Sequence, residues 1–499
     1  MKKLDFPISK CTIDITENCN LRCGYCFTYF NSKYKRKDLS YEQGIKIIDW
    51  LFKDEVSQSD NIDINWWGGE PLFKFDMMKK LTDYALEKAS KEKKQLTIGG
   101  TSNGTLMNKE VVDWMNKYRS YFMISIDGPK DIQDSNRPCA VKGCSSWDMI
   151  EKNLPYIMEQ IPFLNSRMSP TPQHIHRMAE TFRLFYDKYH ILTQMYSPVC
   201  ELEWTKEKLN IAEDQLKQIC DMIVEKRLQG KEFNVKHLDD AVTNIEMKRS
   251  RAEFPCGAGR FYVGISTEGI IYPCHRFNKY DGRDWREKAY IGNIDDGIIN
   301  KEFRDQFIHY LEHKVPDECI NCELYGNLCD RPCYAICYDL EGNINKSPKV
   351  VCDWNKMHAK VAYYYYNLLK KNNLPIPGMQ RGENMNMKSC ICNNMCYLQG
   401  SDNEIIDVDP NSDAGCMCNQ TSYCGPKKPE NTRVLEQSER LKILNERGMF
   451  KNQINKPSVG MSSEGANLLN KLHKQLESMD QTNKALIDAI LKLAESIKK

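Results

Sequence analysis

The first two hundred residues alternate short apolar runs with stretches of helical period. Strand candidates are 12–16, 62–66, 96–101, 122–126, 163–168 and 191–196. Helix candidates between them include 41–53, 77–89, 109–118 and 147–159. Six strands alternating with helices predict βα units on a parallel sheet, wound by right-handed crossovers into an open or partial barrel. The expected class is α/β, with a partial (β/α)6 TIM-like barrel over residues 1–200.

The pattern then changes. Residues 203–230 are polar and helical, and 201–250 read as a connector. Residues 251–375 combine short strands, turn residues and cysteines, as in a small metal-stapled module, with a closing helix near 355–371. Residues 376–460 are rich in Asn, Ser, Asp, Gly, Met and Cys with weak periodicity. Over 461–499 the apolar positions Leu469, Leu472, Leu476, Met479, Leu486, Ile490, Leu493 and Ile497 alternate by three and four, with Asn483 in the same seam. That heptad predicts an amphipathic helix, with docking on the chain itself and homodimerisation as its two uses.

Composition narrows the class. Net charge is +2, from 70 basic against 68 acidic side chains, which gives no reason to expect nucleic acid or an anionic membrane as partner. No apolar run suits a signal peptide or a membrane span, so the expected location is cytoplasmic. There, 22 cysteines point to metal or redox chemistry rather than a disulfide framework. Three lie near the start, eight between Cys256 and Cys352, and six between Cys390 and Cys424.

Cys19-Asn-Leu-Arg-Cys23-Gly-Tyr-Cys26-Phe27 follows the first strand directly. Three thiolates on one loop suit three irons of a 4Fe–4S cube and leave the fourth iron open; structural zinc would want four protein ligands. The spacing resembles the signature of the radical S-adenosylmethionine (AdoMet) superfamily. The resemblance implies that the open iron chelates AdoMet, whose reductive cleavage gives a 5′-deoxyadenosyl radical. Further motifs agree at successive strand ends. Gly68, Gly69 and Glu70 resemble the family's GGEP motif, which meets the AdoMet ammonium. Asn103 ends the third strand, and Ser125 ends the fourth. By the same resemblance, Ser125 and Arg137 hold the AdoMet carboxylate, a task for which the Arg fork is well shaped. Arg167, at the end of the fifth strand, joins the cofactor set, its alternative being an ordinary surface cation.

Cys256, Cys274-His275, then Cys319, Cys322, Cys329, Cys333, Cys337 and Cys352 resemble a SPASM module, which implies two auxiliary 4Fe–4S clusters and three in all. Carried over by position, Cys256, Cys274 and Cys333 hold the first, and Cys319, Cys322, Cys329 and Cys352 the second. Cys337 is additional: it either completes the first cluster or leaves it an open iron. A zinc-ribbon reading accommodates the same eight thiols. Six thiols over 390–424 are open between a metal site, a substrate-like segment and neither. Cys139 and Cys144 read as a buried or incidental pair, and His275 as a surface or packing residue, its alternative being to tune the cluster beside Cys274.

The family implied is one that acts on peptides or proteins with a flavodoxin- or ferredoxin-type electron donor. The leading expectation is a maturase of ribosomally made peptides that forms a thioether. The alternatives are a formylglycine-forming sulfatase maturase and a peptide epimerase or carbon–carbon crosslinking enzyme. A non-enzymatic iron–sulfur scaffold would have no use for the AdoMet motifs.

Overall fold

A computed structural model describes residues 4, 6–28, 34–248, 256–279, 288–308, 316–326, 328–329 and 333–378, with short strands Leu398–Gln399, Ile405–Val408 and Thr432–Val434. The thiols of 390–424 and the heptad of 461–499 lie outside the described residues. The chain divides into two units, Met1–Thr432 and Arg433–Lys499, and the account below concerns the first.

All six expected strands are present: β1 (Lys10–Thr16), β2 (Asn61–Gly68), β3 (Gln95–Ser102), β4 (Tyr121–Ser125), β5 (Asn165–Met168) and β6 (Thr193–Tyr196). Each pairs in parallel with the next, so every carboxyl end lies on one edge of the sheet. Along β1 the pattern is two-sided. Cys11, Ile13 and Ile15 enter the main apolar core, while Thr12, Asp14 and Thr16 are also buried, as both faces of a covered parallel sheet must be. The helices return outside the strands and start on side-chain caps: Ser40 accepts from Gln43 N at 3.1 Å and Asn108 from Val111 N at 3.1 Å.

In its helices and sheet the structure departs from the sequence reading in two places. The helix expected over 147–159 is two helices, Ser146–Glu151 and Leu154–Gln160. Pro155 lacks the N–H that a continuous helix needs but is tolerated in the first turn of a new one. The sheet also does not stop at β6. It continues through β7 (Asn234–Val235) on one side. On the other it passes from β1 to β8 (Tyr262–Ile265), β9 (Ile270–Tyr272), β10 (Gly292–Asn293) and β11 (Gly297–Ile298), giving eleven strands in the order 11-10-9-8-1-2-3-4-5-6-7. The strands between residues 262 and 298 thus extend the barrel sheet, with β8 hydrogen-bonded to β1, rather than forming a sheet of their own. Helices Lys206–Leu228, Lys236–Met247 and Lys349–Lys371 build a second core around Phe182, Leu216, Ile219, Trp354 and Tyr365.

Candidate active site

The loop leaving β1 is fixed by backbone on both sides. On one side, Gly69 N donates to Thr16 O at 2.8 Å and Glu70 N to Asn18 O at 2.9 Å. Glycine is required there. Gly68 has φ +135°, and a Cβ on it would stand 2.0 Å from Thr16 O; one on Gly69 would stand 2.2 Å from Asn18 O. On the other side, Arg22 N donates to Pro138 O at 2.7 Å and Ala140 N to Asn20 O at 2.8 Å. The Arg22 guanidinium closes the turn on the carbonyls of Cys19 and Leu21, each at 2.8 Å.

Cys19, Cys23 and Cys26 are free thiols on this loop. Burial pushes Cys19 up to about 11 and Cys23 up to about 12. The Cys19 sulfur accepts Leu21 N at 3.4 Å and Asn103 Nδ2 at 3.8 Å, and Cys26 Sγ lies 3.0 Å from Thr28 Oγ1. Enclosed thiols with N–H donors aimed at a sulfur fit metal-bound thiolates, since coordination supplies the positive charge that burial otherwise demands. Among the described residues, no three His, Cys, Asp or Glu side chains are drawn together as a single ion requires. A cube instead takes its thiolates on separate irons.

Glu70 joins the ends of β2 and β3. It is fully buried and accepts Asn103 N at 2.7 Å, Ser102 Oγ at 2.8 Å and Leu72 N at 3.2 Å. Burial still outweighs these donors and pushes its carboxyl up to about 7. Asn103 reaches onward to Asn20 Oδ1 at 2.9 Å, so the third strand end holds the cysteine loop directly.

The fourth strand end is organised by Asp127, which the sequence reading did not place in the site. Asp127 accepts Arg137 Nη2 at 3.0 Å, Ser169 N at 2.9 Å, Asn136 Nδ2 at 3.3 Å and the hydroxyl of Tyr25. The Arg137 guanidinium also lies over the Tyr25 ring, 5.4 Å from its centroid. Burial opposes the Arg137 charge, but Asp127, Tyr25 and Cys23 hold it up. Its Nε is buried with no hydrogen-bond partner, a free donor at the site. Ser125 is half-buried at the end of β4. Arg167 is half-buried at β5. Burial, with Arg276 and Arg137 beside it, lowers its guanidinium to about 10.

The second set of thiols falls into two groups. Burial, then the charges of Cys333 and Cys256, raise Cys274, and the Cys333 charge also raises Cys256, itself exposed at the surface. Cys352 is pushed up to about 11 by burial, Cys319 and Cys329. Cys322 N donates to Cys319 O at 3.0 Å, and Asn355 Nδ2 lies 3.3 Å from Cys329 Sγ. Cys337 is buried one helical turn beyond Cys333, whose carbonyl accepts its N–H at 3.0 Å.

Three residues took their places only in three dimensions. His275 packs against Trp67 at 4.4 Å and Phe27 at 5.8 Å between ring centroids, so it bridges the thiol module and the two motif loops. Cys200, single in sequence, is buried against Cys333. Tyr196 ends β6 and hydrogen-bonds His358 at 2.6 Å.

Residues 13–184 match the radical SAM superfamily. The cysteine-type anaerobic sulfatase-maturating enzyme of Clostridium perfringens (strain 13 / Type A) is 24% identical over 343 residues, 66% of this chain and 89% of that protein. The antilisterial bacteriocin subtilosin biosynthesis protein AlbA of Bacillus subtilis (strain 168) is 25% identical over 361 residues, 70% and 72% of the two chains. The solved structure of histidine-tagged anSMEcpe with bound AdoMet aligns with TM-score 0.60 at 19% identity, over 74% of this chain and 96% of that one, a likeness of fold. The fold and the family match agree over residues 13–184, which form a radical SAM domain.

Proposed function

We propose that this enzyme matures a ribosomally made peptide by joining a cysteine sulfur to a carbon as a thioether. The observation that carries the reading is the meeting of the Cys19–Cys26 loop with the ends of β2, β3 and β4 through Glu70, Asn103 and Arg137. When bound, a 4Fe–4S cluster and AdoMet supply a 5′-deoxyadenosyl radical able to take hydrogen from unactivated carbon.

This chain's residues do the holding. Cys19, Cys23 and Cys26 anchor the cluster. Gly68 and Gly69 let backbone approach the cofactor, and Glu70 and Asn103 fix that edge. Ser125 and the free Nε of Arg137 receive the AdoMet carboxylate, and Arg167 adds positive charge to the same enclosure. Cys256, Cys274 and Cys333 hold one auxiliary cluster, with Cys337 or a substrate thiolate completing it; Cys319, Cys322, Cys329 and Cys352 hold another. A low-potential flavodoxin- or ferredoxin-type protein supplies the electron. The relatives support a peptide substrate: AlbA is a bacteriocin biosynthesis protein, and anSMEcpe has been solved with bound Cp18Cys peptide.

The test is the product's mass after anaerobic coexpression with a candidate precursor. Loss of two hydrogens, with one thiol no longer alkylatable, supports the thioether. The same loss with every thiol still reactive indicates a carbon–carbon bond, and unchanged mass with a D-residue indicates epimerisation. Either result rejects the thioether. A second reading, formylglycine formation, is favoured by the sulfatase-maturating relative and predicts an aldehyde on a coexpressed sulfatase.

A further inference from the structure

Cys139 and Cys144 are joined by a disulfide. The expectation of a buried pair is therefore corrected: the two cysteines are bonded, Cys139 half-buried and Cys144 exposed. Val141, between the two, is 72% exposed. The bridged segment 140–143 stands in solvent, with Gly143 at φ +78° and open space around it.

Both ends of this exposed loop are anchored. Cys139 stands opposite Leu21 in a bridge of antiparallel sense, within the Cys19–Cys23 span, and the flanking Pro138 and Ala140 make the backbone bonds to Arg22 and Asn20. Beyond Cys144, Asp134 accepts Ser145 Oγ at 2.7 Å, Ser146 Oγ at 3.1 Å and Trp147 N at 2.9 Å, pinning the start of helix Ser146–Glu151. The disulfide therefore ties the strip that lines the cysteine loop to a fixed helix start. Without it, the strip 138–140 is joined to that helix start only by the exposed segment 140–143 and, through the chain running back to Asp134, by the Asp134 hydrogen bonds.

We propose that Cys139–Cys144 is a redox site that exchanges with a dithiol reductant and sets how firmly the Cys19–Cys26 loop is held. A donor thiolate attacks the exposed Cys144 sulfur; the Cys139–Cys144 bond breaks, Cys139 leaves as thiolate, and a mixed disulfide forms on Cys144. The donor's second thiolate then displaces Cys144 and becomes half of a donor disulfide. Two electrons pass from donor to protein, and the two released thiolates take up two protons. In the oxidised form the strip 138–140 is clamped, and in the reduced form it is freer to leave Asn20–Arg22. The exchange stands on the disulfide alone, while its consequence for a cluster rests on the reading under Proposed function.

The experiment uses the full chain, anaerobically reconstituted, equilibrated in a series of dithiothreitol redox buffers. Iodoacetamide trapping and peptide mass spectrometry should show Cys139 and Cys144 gaining label together through one transition. Ferrous iron release to a chelator should run several-fold faster in the reduced wild type and in Cys144→Ser than in the oxidised wild type. Full labelling of both thiols in every buffer, or no labelling in any, rejects the exchange. Equal iron release from oxidised and reduced wild type rejects the clamp even where the thiols titrate. The labelling needs neither AdoMet nor peptide, so its failure is separable from failure of the maturase reading.

Discussion

Asn103 reaches two parts of the site at once: its backbone N–H donates to Glu70 at 2.7 Å, and its side-chain amide reaches the Cys19 sulfur at 3.8 Å. One residue at the end of β3 thus couples the β2 motif to the cysteine loop. Side-chain donors of this kind orient ligands and tune what they bind. The expected result for Asn103→Ala is a shifted midpoint potential for the AdoMet-binding cluster with iron content retained, read by potentiometric EPR. An unchanged potential would remove Asn103 from that role.

Glu70 gives a pH signature. Its carboxyl is pushed up to about 7 by burial from an ordinary 4.5, so the folded chain holds this proton more tightly than the unfolded chain does. Its contribution is fully present below pH 4.5 and is lost as pH rises to about 7. Cofactor-free protein should lose about 3 kcal/mol from this group across that window, and Glu70→Gln should flatten the change. Urea midpoints at pH 5 and pH 8 provide the measurement.

Asp127 and Arg137 form a buried ion pair at 3.0 Å. Removing one partner strands the other charge, so Asp127→Ala should destabilise the chain by about 3 kcal/mol or more. Adding Arg137→Leu should recover part of that loss. A double-mutant cycle reads the coupling, and strict additivity would contradict it.

At Gly68 the constraint is backbone against backbone. Positive φ and a Cβ placed 2.0 Å from Thr16 O leave no rotamer to relieve the contact. Gly68→Ala should move the loop that carries Cys19 and lower both the urea midpoint and the iron bound after reconstitution. Val141→Ala, in the exposed loop, should change neither.

The thiol grouping makes a separable prediction. Cys274→Ala should remove one cluster's iron while leaving the EPR change produced by AdoMet, because Cys19, Cys23 and Cys26 lie on a different loop. Loss of the AdoMet response together with the iron would contradict two independent groups.

Much of this was legible in the sequence because it is local. The six strands announce themselves by period, and the glycines, Glu70 and Asn103 sit at strand ends where a parallel sheet must gather them. What escaped depends on contacts between residues distant in sequence. Asp127 reads as a turn residue until Tyr25, Arg137 and Ser169 close on it. The pairing of β8 with β1 joins residues 10–13 to 262–265, and no local pattern carries that register. Pro155 was visible in the sequence, yet the apolar period running through it masked the break.

The central claim is most directly tested by 5′-deoxyadenosine formation from AdoMet and dithionite under anaerobic conditions, measured beside iron content. The account predicts turnover by the reconstituted wild type and none by Cys19→Ala/Cys23→Ala/Cys26→Ala, which should keep its remaining iron. Turnover retained by that variant, or a wild-type protein that takes up zinc alone, would contradict it.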